Sequence, residues 1–497
     1  MPPSLKYAAL LSVLLALSAL ACGDGTAPDP PAISPQELQI VAGDGQMAAT
    51  GTAVAAPLRV RVIGSDDQPL AGATVRWSIT MGQATLAPSQ STTNASGDAE
   101  TQVTLGTTVG PVGVRATVAN LTPVTFSITA VDPSSPLRFA SVSADALHNC
   151  GITTTDGPYC WGLNTYGELG DGSTTDRLTP VAVAGGGSLV AVATGVRHSC
   201  GLTVTGTASC WGANVVGEIG DGTTTQRNAP VPVAGDLSFT QLSAGLGSTC
   251  GVTGSGTAYC WGLGHTGQLG NGSTTDRRTP VPVAGGVSFA SISVGGVVPP
   301  FFLDLNGTHT CAVTAPGAAY CWGVNEYGGL GDGTTTDRLT PVPVAGGISF
   351  TSVTVGFRHT CGLTVEGSSY CWGLGHTGQL GDGTTNDRWT PTRVAGGVSL
   401  TSLSTGGFHT CGLTAEGAAY CWGSNLYGQL GDGTAPIQRE APVAVAGGLS
   451  FAGISAGGHH TCAVTADGVA YCWGFNDDGR LGIGTMTHQH TPAPVVQ

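Results

Sequence analysis

The sequence predicts an all-β protein in which a seven-bladed β-propeller follows a β-sandwich. Three observations lead to this fold class. From Leu137 to the end the chain repeats a unit of about 50 residues, the region before it shows short alternating strands separated by turns, and neither region has a helical period. The 80 Gly residues and the 41% of hydrophobic residues fit turn-rich β structure with enough apolar surface for a core.

The repeated unit is centred on the pattern Cys-x9-Cys-Trp-Gly, which occurs seven times. The first cysteines of successive units are 50, 50, 61, 50, 50 and 51 residues apart. Each unit contains an alternating apolar strand, a Cys-centred hairpin, a Gly-rich loop and a short Thr-Pro-Val strand, and four short strands per period are typical of a propeller blade. The first unit lacks a preceding Thr-Pro-Val strand, whereas the chain ends with the similar segment Thr491–Val496. This displacement predicts that the last strand completes the first blade and latches the ring.

The paired cysteines flank a hairpin whose loop has three residues. In the fifth unit this loop is Val365–Gly367, with Gly367 at the left-handed position. Counting outward places Cys361 opposite Cys371, within disulfide reach. Zinc is the alternative, but two ligands from one hairpin leave a tetrahedral site half empty. We therefore predict seven disulfides, each contributing about 2–3 kcal/mol: Cys150–Cys160, Cys200–Cys210, Cys250–Cys260, Cys311–Cys321, Cys361–Cys371, Cys411–Cys421 and Cys462–Cys472.

The region 36–132 is predicted to form a separate domain around a single buried tryptophan. Leu58–Val62 and Val75–Ile79 alternate with period two, as strands with one buried face do. The segments DDQPLAGATVRWSI, TTNASGDAETQVTL and VTFSITA resemble the invasin/intimin type of bacterial Ig-like domain. This resemblance implies an Ig-like β-sandwich that acts mostly as a spacer.

The repeated units resemble a known family over residues 137–497. The segment YGQLGDGT at 427–434, with Gly-Gly-Phe-His-Thr at 406–410 and Tyr-Cys-Trp-Gly, is similar to the regulator-of-chromosome-condensation (RCC) repeat. The resemblance implies a propeller. Eukaryotic members exchange nucleotide on a small nuclear GTPase and bind chromatin, and secreted members can act as protein inhibitors of enzymes. The cysteine pairs, the acidic balance and the export signal predicted below for residues 1–21 depart from the eukaryotic pattern.

Residues 1–21 have the features of an export signal. Lys6 precedes the apolar run Tyr7–Leu20, and Ala19–Ala21 has the small-x-small pattern of a cleavage site before Cys22. The run is short for a membrane span, which disfavours an uncleaved anchor. Ordinary signal peptidase and a relaxed lipobox both place the cut before Cys22, the one cysteine outside the seven pairs. We expect a lipid anchor at Cys22, with a free thiol as the alternative, and a flexible tether over 22–35.

The predicted location is therefore the cell envelope or the outer membrane, as a lipoprotein, or alternatively the secreted fraction. Membrane contact is expected only through the lipid on Cys22.

Three recurring side chains have both a structural and a functional interpretation. The Trp after each second Cys is expected to pack between blades, with carbohydrate stacking as the alternative. The His two residues before the first Cys occurs in six units, and we expect it to bond to backbone, since a symmetric ring lacks the asymmetric cluster that catalysis needs. The Asp of the Gly-Asp-Gly loops is expected to cap a turn and pair with arginine, with calcium as the alternative. These aspartates and arginines include Asp171, Asp332, Asp382, Asp432, Arg177, Arg338 and Arg388.

Charge and variation between units limit the class of partner. The formal net charge is −14 and the arginines are scattered, which disfavours nucleic acid, and no cofactor or metal is predicted. The residue before the His and the loop after Trp-Gly vary among units and include residue types enriched in protein interfaces, although drift at unconstrained positions is the alternative. An apolar insertion in the fourth unit could bind a partner, contact a membrane or fold onto the propeller's own rim. The candidate partner-binding residues are Arg197, Arg358, Phe408, His459, Tyr166, Tyr327, Tyr427, Phe301 and Phe302.

Together these features predict a non-enzymatic protein, envelope-tethered or secreted, whose propeller is the binding head on an Ig-like spacer and whose partner is a protein. One alternative is a cell-wall or polysaccharide-active enzyme with carboxylates on the central face. A second alternative is a guanine-nucleotide exchange factor, which the export signal disfavours because GTPases act inside the cell.

Overall fold

The computed structural model describes residues 33–54, 56–132, 137–155, 157–296 and 308–496. Strands and turns account for nearly all of these residues, which confirms the all-β class. Within them, the single turn Ala395–Gly397 is the only helical element, and no helix is long and apolar enough to cross a membrane. The predicted signal peptide, Cys22 and the pair Phe301–Phe302 lie outside the described residues.

The N-terminal domain consists of two sheets packed around an apolar core. Its strands are β1 (Pro35–Ala42), β2 (Met47–Ala49), β3 (Leu58–Gly64), β4 (Thr74–Met81), β5 (Ala84–Ala87), β6 (Gln90–Thr92), β7 (Asp98–Leu105), β8 (Gly110–Thr117) and β9 (Val124–Val131). One sheet has the order β1-β3-β7-β5 and the other β2-β9-β8-β4-β6. Trp77 is 4% exposed and its ring centroid lies 5.9 Å from that of Phe126, so the predicted buried tryptophan is part of the core.

Residues 139–494 form seven four-stranded antiparallel sheets, each built from four consecutive strands, and we number these sheets as blades 1 to 7. Their strands are, in blade 1, β10 (Phe139–Ala144), β11 (His148–Thr153), β12 (Pro158–Gly162) and β13 (Arg177–Ala182); in blade 2, β14 (Leu189–Thr194), β15 (His198–Thr203), β16 (Ala208–Gly212) and β17 (Arg227–Pro232); in blade 3, β18 (Phe239–Ala244), β19 (Ser248–Thr253), β20 (Ala258–Gly262) and β21 (Arg277–Pro282); in blade 4, β22 (Ser291–Val294), β23 (His309–Val313), β24 (Ala319–Gly323) and β25 (Arg338–Pro343); in blade 5, β26 (Ser352–Val355), β27 (His359–Leu363), β28 (Ser369–Gly373) and β29 (Arg388–Arg393); in blade 6, β30 (Ser402–Thr405), β31 (His409–Leu413), β32 (Ala419–Gly423) and β33 (Arg439–Ala444); and in blade 7, β34 (Phe451–Ala456), β35 (His460–Thr465), β36 (Ala470–Gly474) and β37 (Gln489–Pro494).

The ring closes by side-to-side packing of complete blades. The first strand of each blade contacts the first strand of the next, and β34 of blade 7 contacts β10 of blade 1 in the same way. Between these two strands the Ala144 N–H donates to the Ser455 hydroxyl at 2.9 Å, a bond that five other neighbouring pairs of first strands repeat with their own Ser or Thr hydroxyl. The predicted latch is therefore wrong. β37 pairs with β36 of its own blade, and β13 already completes blade 1, because each Gly-rich loop returns the chain to the hairpin of the same unit.

The second and third strands of every blade place two cysteines directly opposite each other. All seven predicted disulfides are formed, with Cα–Cα distances of 4.0 to 4.1 Å. Every one of these cysteines is fully buried. Each blade is thus cross-linked within its central hairpin, and no disulfide of the described residues connects two blades.

Neighbouring blades are connected by a group of hydrogen bonds that we call the blade joint. Between blades 1 and 2, the backbone carbonyl of Glu168 accepts from Trp211 Nε1 at 2.8 Å and from the Ser199 hydroxyl at 3.0 Å. The Ser199 oxygen lies 2.7 Å from Nε2 of His148. Because the hydroxyl has one hydrogen and gives it to the carbonyl, His148 must donate from Nε2. Burial lowers the pKa of His148 to about 3, so the imidazole is neutral.

The joint recurs around the ring, including the closing contact between blades 7 and 1. There the Arg480 carbonyl accepts from Trp161 Nε1 at 3.0 Å, and Asn149 takes the place of the hydroxyl residue and accepts from His460. One joint is incomplete. Between blades 3 and 4 the histidine is replaced by Ser248, whose buried hydroxyl has no hydrogen-bond partner.

The blade joint explains two of the recurring side chains. All seven joint tryptophans are 0% exposed, so they pack between blades as expected and cannot stack on a carbohydrate. Through Nε2 the histidines bond to a side chain of the next blade, which corrects the expected backbone partner; His359 also has Nδ1 near a backbone carbonyl, that of Phe357 at 3.4 Å. The six histidines are His148, His198, His309, His359, His409 and His460.

The Gly-Asp-Gly loops form an ion pair within the blade. In blade 1 both guanidinium nitrogens Nε and Nη2 of Arg177 donate to Oδ2 of Asp171, at 2.9 and 2.6 Å, while Oδ1 accepts from the Ser173 N–H and hydroxyl. Burial acts to raise the pKa of Asp171, but the hydrogen bonds from Ser173 and Arg177 outweigh it and hold that pKa below its usual value. Both carboxylate oxygens are thus occupied by donors, as the turn-capping interpretation predicted. The pairs are Asp171–Arg177, Asp221–Arg227, Asp332–Arg338, Asp382–Arg388 and Asp432–Arg439.

Blade 3 lacks this ion pair, and restoring it should stabilise the chain. Asn271 stands where the aspartate would be, and Nε of Arg277 is buried without a hydrogen-bond partner. We expect Asn271→Asp to raise the free energy of unfolding by about 1 kcal/mol at pH 7, since the new pair is charge-assisted but partly exposed to solvent. Denaturant unfolding with the disulfides intact measures the change. In the background Arg277→Gln the same substitution should give no gain, and an equal gain there would contradict the ion-pair explanation.

Candidate partner-binding face

The residues that vary among the units lie together at one end of the blades. At three joints the residue before the His position contacts the loop after Trp-Gly of the preceding blade. Arg197 lies over the Tyr166 ring at 5.0 Å, and Arg358 lies over the Tyr327 ring at 5.1 Å. We call this end the loop face, defined by residues 145–147 and 163–167 of blade 1 and their equivalents. The hairpin tips lie at the opposite end of the strands.

A buried asparagine fixes most of these loops. In blade 1 the amide nitrogen of Asn164 donates to the Thr175 carbonyl at 3.1 Å, and its oxygen accepts from the Leu169 N–H at 3.0 Å. The loop therefore holds its backbone through one side chain, and the two residues that follow are free to vary. Blades 3 and 5 have Gly264 and Gly375 instead of the asparagine. The ring consequently presents two types of loop on this face.

Two arginine–tyrosine pairs occupy the face. Arg197 is exposed, and its guanidinium donates to the Tyr166 hydroxyl at 3.3 Å. Arg358 is 8% exposed and pairs with Glu326. Its φ of 62° lies in the left-handed region that non-glycine residues avoid, which costs on the order of 1–3 kcal/mol. Packing on Tyr327 and pairing with Glu326 offset that cost and fix the guanidinium in place.

An aromatic group covers the face at blades 6 and 7. The His459 ring lies 5.3 Å from Tyr427 and 6.2 Å from Phe408, and Tyr427 lies 4.7 Å from Phe475. Burial lowers the pKa of His459 to about 4, so this histidine is a neutral aromatic at physiological pH. Such rings form rigid apolar contact area with polar atoms at its edges.

Apolar side chains from several blades meet at the centre of the loop face. Ala146, Val196, Leu246 and Phe357, from blades 1, 2, 3 and 5, form one buried cluster against Phe408 of blade 6. Because these blades are not all neighbours, the cluster lies where they converge on the ring axis.

Beneath the cluster, a ring of glycines brings the blades into backbone contact. A Cβ added at Gly406, for example, would lie 2.2 Å from the Gly457 carbonyl of the next blade, so only glycine fits. Blade 1 has Asp145 at the equivalent position, and its Oδ2 lies so close to Gly296 of blade 4 that a Cβ there would be 2.6 Å away. Asp145 is 5% exposed, and burial raises its pKa to about 8 although the Ala146 N–H donates to it. A protonated carboxyl therefore stands near the axis.

Two further buried carboxyls lie under the loops. Glu168 accepts from the Tyr166 N–H at 2.7 Å, and Glu218 accepts from the Val216 N–H at 2.8 Å. Burial raises the pKa of Glu168 to about 7 and also raises that of Glu218. Both carboxyls accept hydrogen bonds from the backbone of the loop above them and so hold that loop in place. In the described part of the chain no group of three or more His, Cys, Asp or Glu side chains is arranged to hold a metal.

The structure places all seven described candidate residues on the loop face and pairs six of them across blades. The pairs are Arg197 with Tyr166, Arg358 with Tyr327, and His459 with Tyr427, while Phe408 stacks on His459. Arg358 and His459 are nevertheless buried, at 8% and 7% exposure, so their role on the face is to shape and hold it.

Three exposed residues near this face are not among the candidates predicted from the sequence, although Val215 lies in the loop after Trp-Gly that varies among units. Val215, Arg278 and Trp389 project from loops and outer strands, and Trp389 is 53% exposed. The signal was available, because Arg278 and Trp389 each occupy a position where the other units have a different residue.

Comparison with known proteins agrees with this architecture. Residues 37–131 match the family model of the bacterial Ig-like domain (group 1). The regulator of chromosome condensation (RCC1) repeat matches 158–202, 255–297, 316–363, 366–413, 416–464 and 467–497, which is more than half of the chain, and a second model of the same repeat matches four segments between 189 and 480.

Solved structures with the propeller fold are also similar. Prp20p from Saccharomyces cerevisiae is 21% identical, with 72% of this chain and 88% of that chain covered and a TM-score of 0.60. Human WBSCR16 is 20% identical, with 68% and 93% covered and a TM-score of 0.58. At these identities the likeness shows the fold alone. On the strength of the repeat matches, the chain belongs to the RCC1 repeat family and carries an N-terminal bacterial Ig-like domain.

Proposed function

We propose that this chain is a non-enzymatic protein-interaction protein whose loop face binds a protein partner. In this proposal the Ig-like domain is the spacer, the N-terminal segment directs export, and a lipid on Cys22 tethers the chain to the cell envelope. The propeller is then the binding head.

The observation that carries the proposal is the division between repeated and variable positions. The disulfides and the blade joints recur around the ring, so they account for stability. The loop face instead presents arginine, tyrosine and phenylalanine in contacts that differ from joint to joint, and these residue types are enriched where proteins bind proteins. Val215 and Leu426 add exposed aliphatic area on the same face, at 73% and 55% exposure.

Two related structures support the class of partner. The Prp20p structure is described together with its binding to Gsp1p and histones, and yeast RCC1 (Prp20) was solved bound to Kap60. Gsp1p, histones and Kap60 are partners of the yeast protein. For this chain we propose only the class of partner: its propeller also binds a protein.

Affinity capture from envelope extract with the purified full chain tests the proposal. We expect one or more envelope proteins, identified by mass spectrometry, to be retained by the wild type. The double variant Tyr166→Ala/Arg197→Ala should reduce that retention at least tenfold, because it removes an exposed contact pair from the loop face.

The matched control is the double variant Val204→Ser/Val365→Ser. These valines are 86% and 80% exposed at hairpin tips on the opposite end of the blades, so capture should be unchanged. Equal capture by all three proteins would contradict binding through the loop face. For the tether, membrane association and palmitate labelling that both persist in Cys22→Ser would contradict the lipid anchor.

A further inference from the structure

A groove on the loop face lies between blades 2 and 3. It has a volume of about 440 Å³ and is lined by Val215, Val216, Thr224, His265, Thr275 and Arg278 among others. The groove contains aliphatic, hydroxyl and cationic groups side by side. Its composition therefore suits an occupant with both an apolar part and an anionic part.

The groove is open because the blade 3 side of this joint has no side chain to cover it. At three other joints the residue before the His position lies on the preceding loop, as Arg197 does on Tyr166. Blade 3 has Gly247 there, and a Cβ at this position would lie 3.5 Å from Leu263 of the same blade and 3.5 Å from Val216 of blade 2. Val215, next in the chain, is 73% exposed. The aliphatic side chain of Val215 is thus left uncovered, whereas at the three joints above a side chain covers the equivalent loop.

The groove also carries positive charge without an internal partner. Arg278 is exposed, and among the described residues no carboxylate pairs with it. Behind it stands Arg277, whose five equivalents pair with an aspartate that blade 3 replaces with Asn271. Arg277 and Arg278 are the one Arg-Arg dipeptide in a chain with a formal charge of −14.

The groove has one acidic side chain, Asp276, and one of its two oxygens accepts a hydrogen bond within the protein. Oδ1 of Asp276 accepts from the Gly264 N–H at 2.8 Å and lies 3.9 Å from Nδ1 of His265. The Asp221 carboxylate on the blade 2 side pairs with Arg227 at 2.6 Å. Neither carboxylate therefore forms an ion pair with Arg277 or Arg278, although Asp276 contributes one negative charge to the groove.

From these contacts we infer that the groove between blades 2 and 3 binds an acidic segment of a partner protein. A glutamate or aspartate carboxylate of that segment pairs with Arg278, an aliphatic side chain packs on Val215 and Val216, and the hydroxyls of Thr224 and Thr275 bond to its backbone. The inference rests on the proposed function and names the partner chemistry at one part of the loop face.

The test uses the full chain and three fluorescein-labelled nonapeptides that share a central valine. One has glutamate on both sides of it, one has glutamine and one has lysine. By fluorescence anisotropy at 50 mM salt, we expect the glutamate peptide to bind at least tenfold more tightly than the glutamine peptide, and the lysine peptide not to bind. Raising the salt to 200 mM should weaken the glutamate peptide, because Arg278 is exposed and screened.

Charge reversal at two exposed arginines assigns the effect to the groove. Arg278→Glu should weaken the glutamate peptide at least tenfold. Arg393→Glu, on the outer strand β29 of blade 5, is the matched control and should leave it unchanged; thermal midpoints of both variants verify folding. Equal binding of the glutamate and glutamine peptides, or equal loss in both variants, would overturn the inference. Displacement by 10 mM inorganic phosphate as complete as by unlabelled peptide would overturn it in favour of a general anion site.

The two proposals fail differently. If Arg278→Glu leaves envelope capture intact while the peptides do not bind, the groove assignment is wrong and binding through the loop face stands. If the Tyr166→Ala/Arg197→Ala variant captures as the wild type does, the proposed function fails whatever the peptides do.

Discussion

Lowering the pH from 6.5 to 4.5 is expected to destabilise the propeller steeply while its disulfides remain intact. Seven buried histidines are neutral in the folded chain, with pKa values lowered by burial to about 3 or 4, or in His460 well below the usual value. They regain a pKa near 6.5 when unfolded. Above pH 6.5 they are neutral in both states and contribute nothing to the pH dependence. Below it only the unfolded chain takes up protons, so each histidine removes up to about 1.4 kcal/mol of stability per pH unit. These are His148, His198, His309, His359, His409, His459 and His460.

Three carboxyls oppose this trend, and the net effect is measurable as a proton count. Asp145, Glu168 and Glu218 have raised pKa values and bind protons in the folded chain over the same range. Seven histidines each take up about one proton on unfolding near pH 5, Asp145 and Glu168 each release about one, and Glu218 releases at most one. We therefore expect a net uptake of about four to five protons, from the slope of the free energy of unfolding against pH. Ser248→His, which completes the joint between blades 3 and 4, should add one proton. Ser248→Ala, which adds no titratable group at the same position, is the control and should leave the slope unchanged. A stability independent of pH between 4.5 and 6.5 would contradict the neutral joint.

The second large effect is expected from Asp145→Asn, which should stabilise the folded chain. This gain in the free energy of unfolding increases as the pH rises, whereas the histidine effect increases as the pH falls. The folded carboxyl stays protonated up to about pH 8, whereas the unfolded one ionises near pH 4. Between these values only the unfolded chain loses the proton, so the wild type loses stability as the pH rises. The variant lacks this loss. We expect equal stability at pH 4 and an advantage for the variant of about 4 kcal/mol at pH 7.

Denaturant unfolding at pH 4, 5.5 and 7 measures this difference. Asp171→Asn is the informative control because that carboxylate pairs with Arg177 and has a lowered pKa, so its loss should destabilise the chain at pH 7. An Asp145→Asn variant that is less stable than the wild type at pH 7 would show that the carboxyl is ionised and held by a partner at the axis.

Strand pairing within one hairpin could be predicted from the sequence, whereas contacts between blades could not. Cys361 opposite Cys371 follows from counting outward from Gly367, because a hairpin fixes its own register. The latch failed for a different reason. A periodic sequence has a period but no marked starting point, so the Thr-Pro-Val strand could equally end one unit or begin the next. Only the pairing of β13 with β12 resolves that choice.

The site was predictable as a set of positions but not as a set of contacts. Variation among units pointed to Arg197 and Tyr166, yet their stacking depends on which loops two neighbouring blades bring together. The partner of each joint histidine lies in the next blade, about 50 residues away, and nothing local specifies it. Asp145 could have been found, since it stands alone where the other units have glycine, but its burial near the axis depends on the closed ring.

The absence of a shared strand between the ends of the ring has a consequence for how such a chain can change. Every blade is a contiguous stretch of about 50 residues, and the contact between blades 7 and 1 has the same form as the other joints. Duplication or loss of one whole unit in the gene would therefore add or remove a complete blade without leaving an orphan strand. Joining the first and last strands of the propeller through a new loop, and opening the chain between any two blades, would likewise keep every sheet intact. The number of blades and the position of the termini can thus change without changing the contacts between blades. The loops of a newly added blade could diverge in sequence while its disulfide and its joint tryptophan are retained.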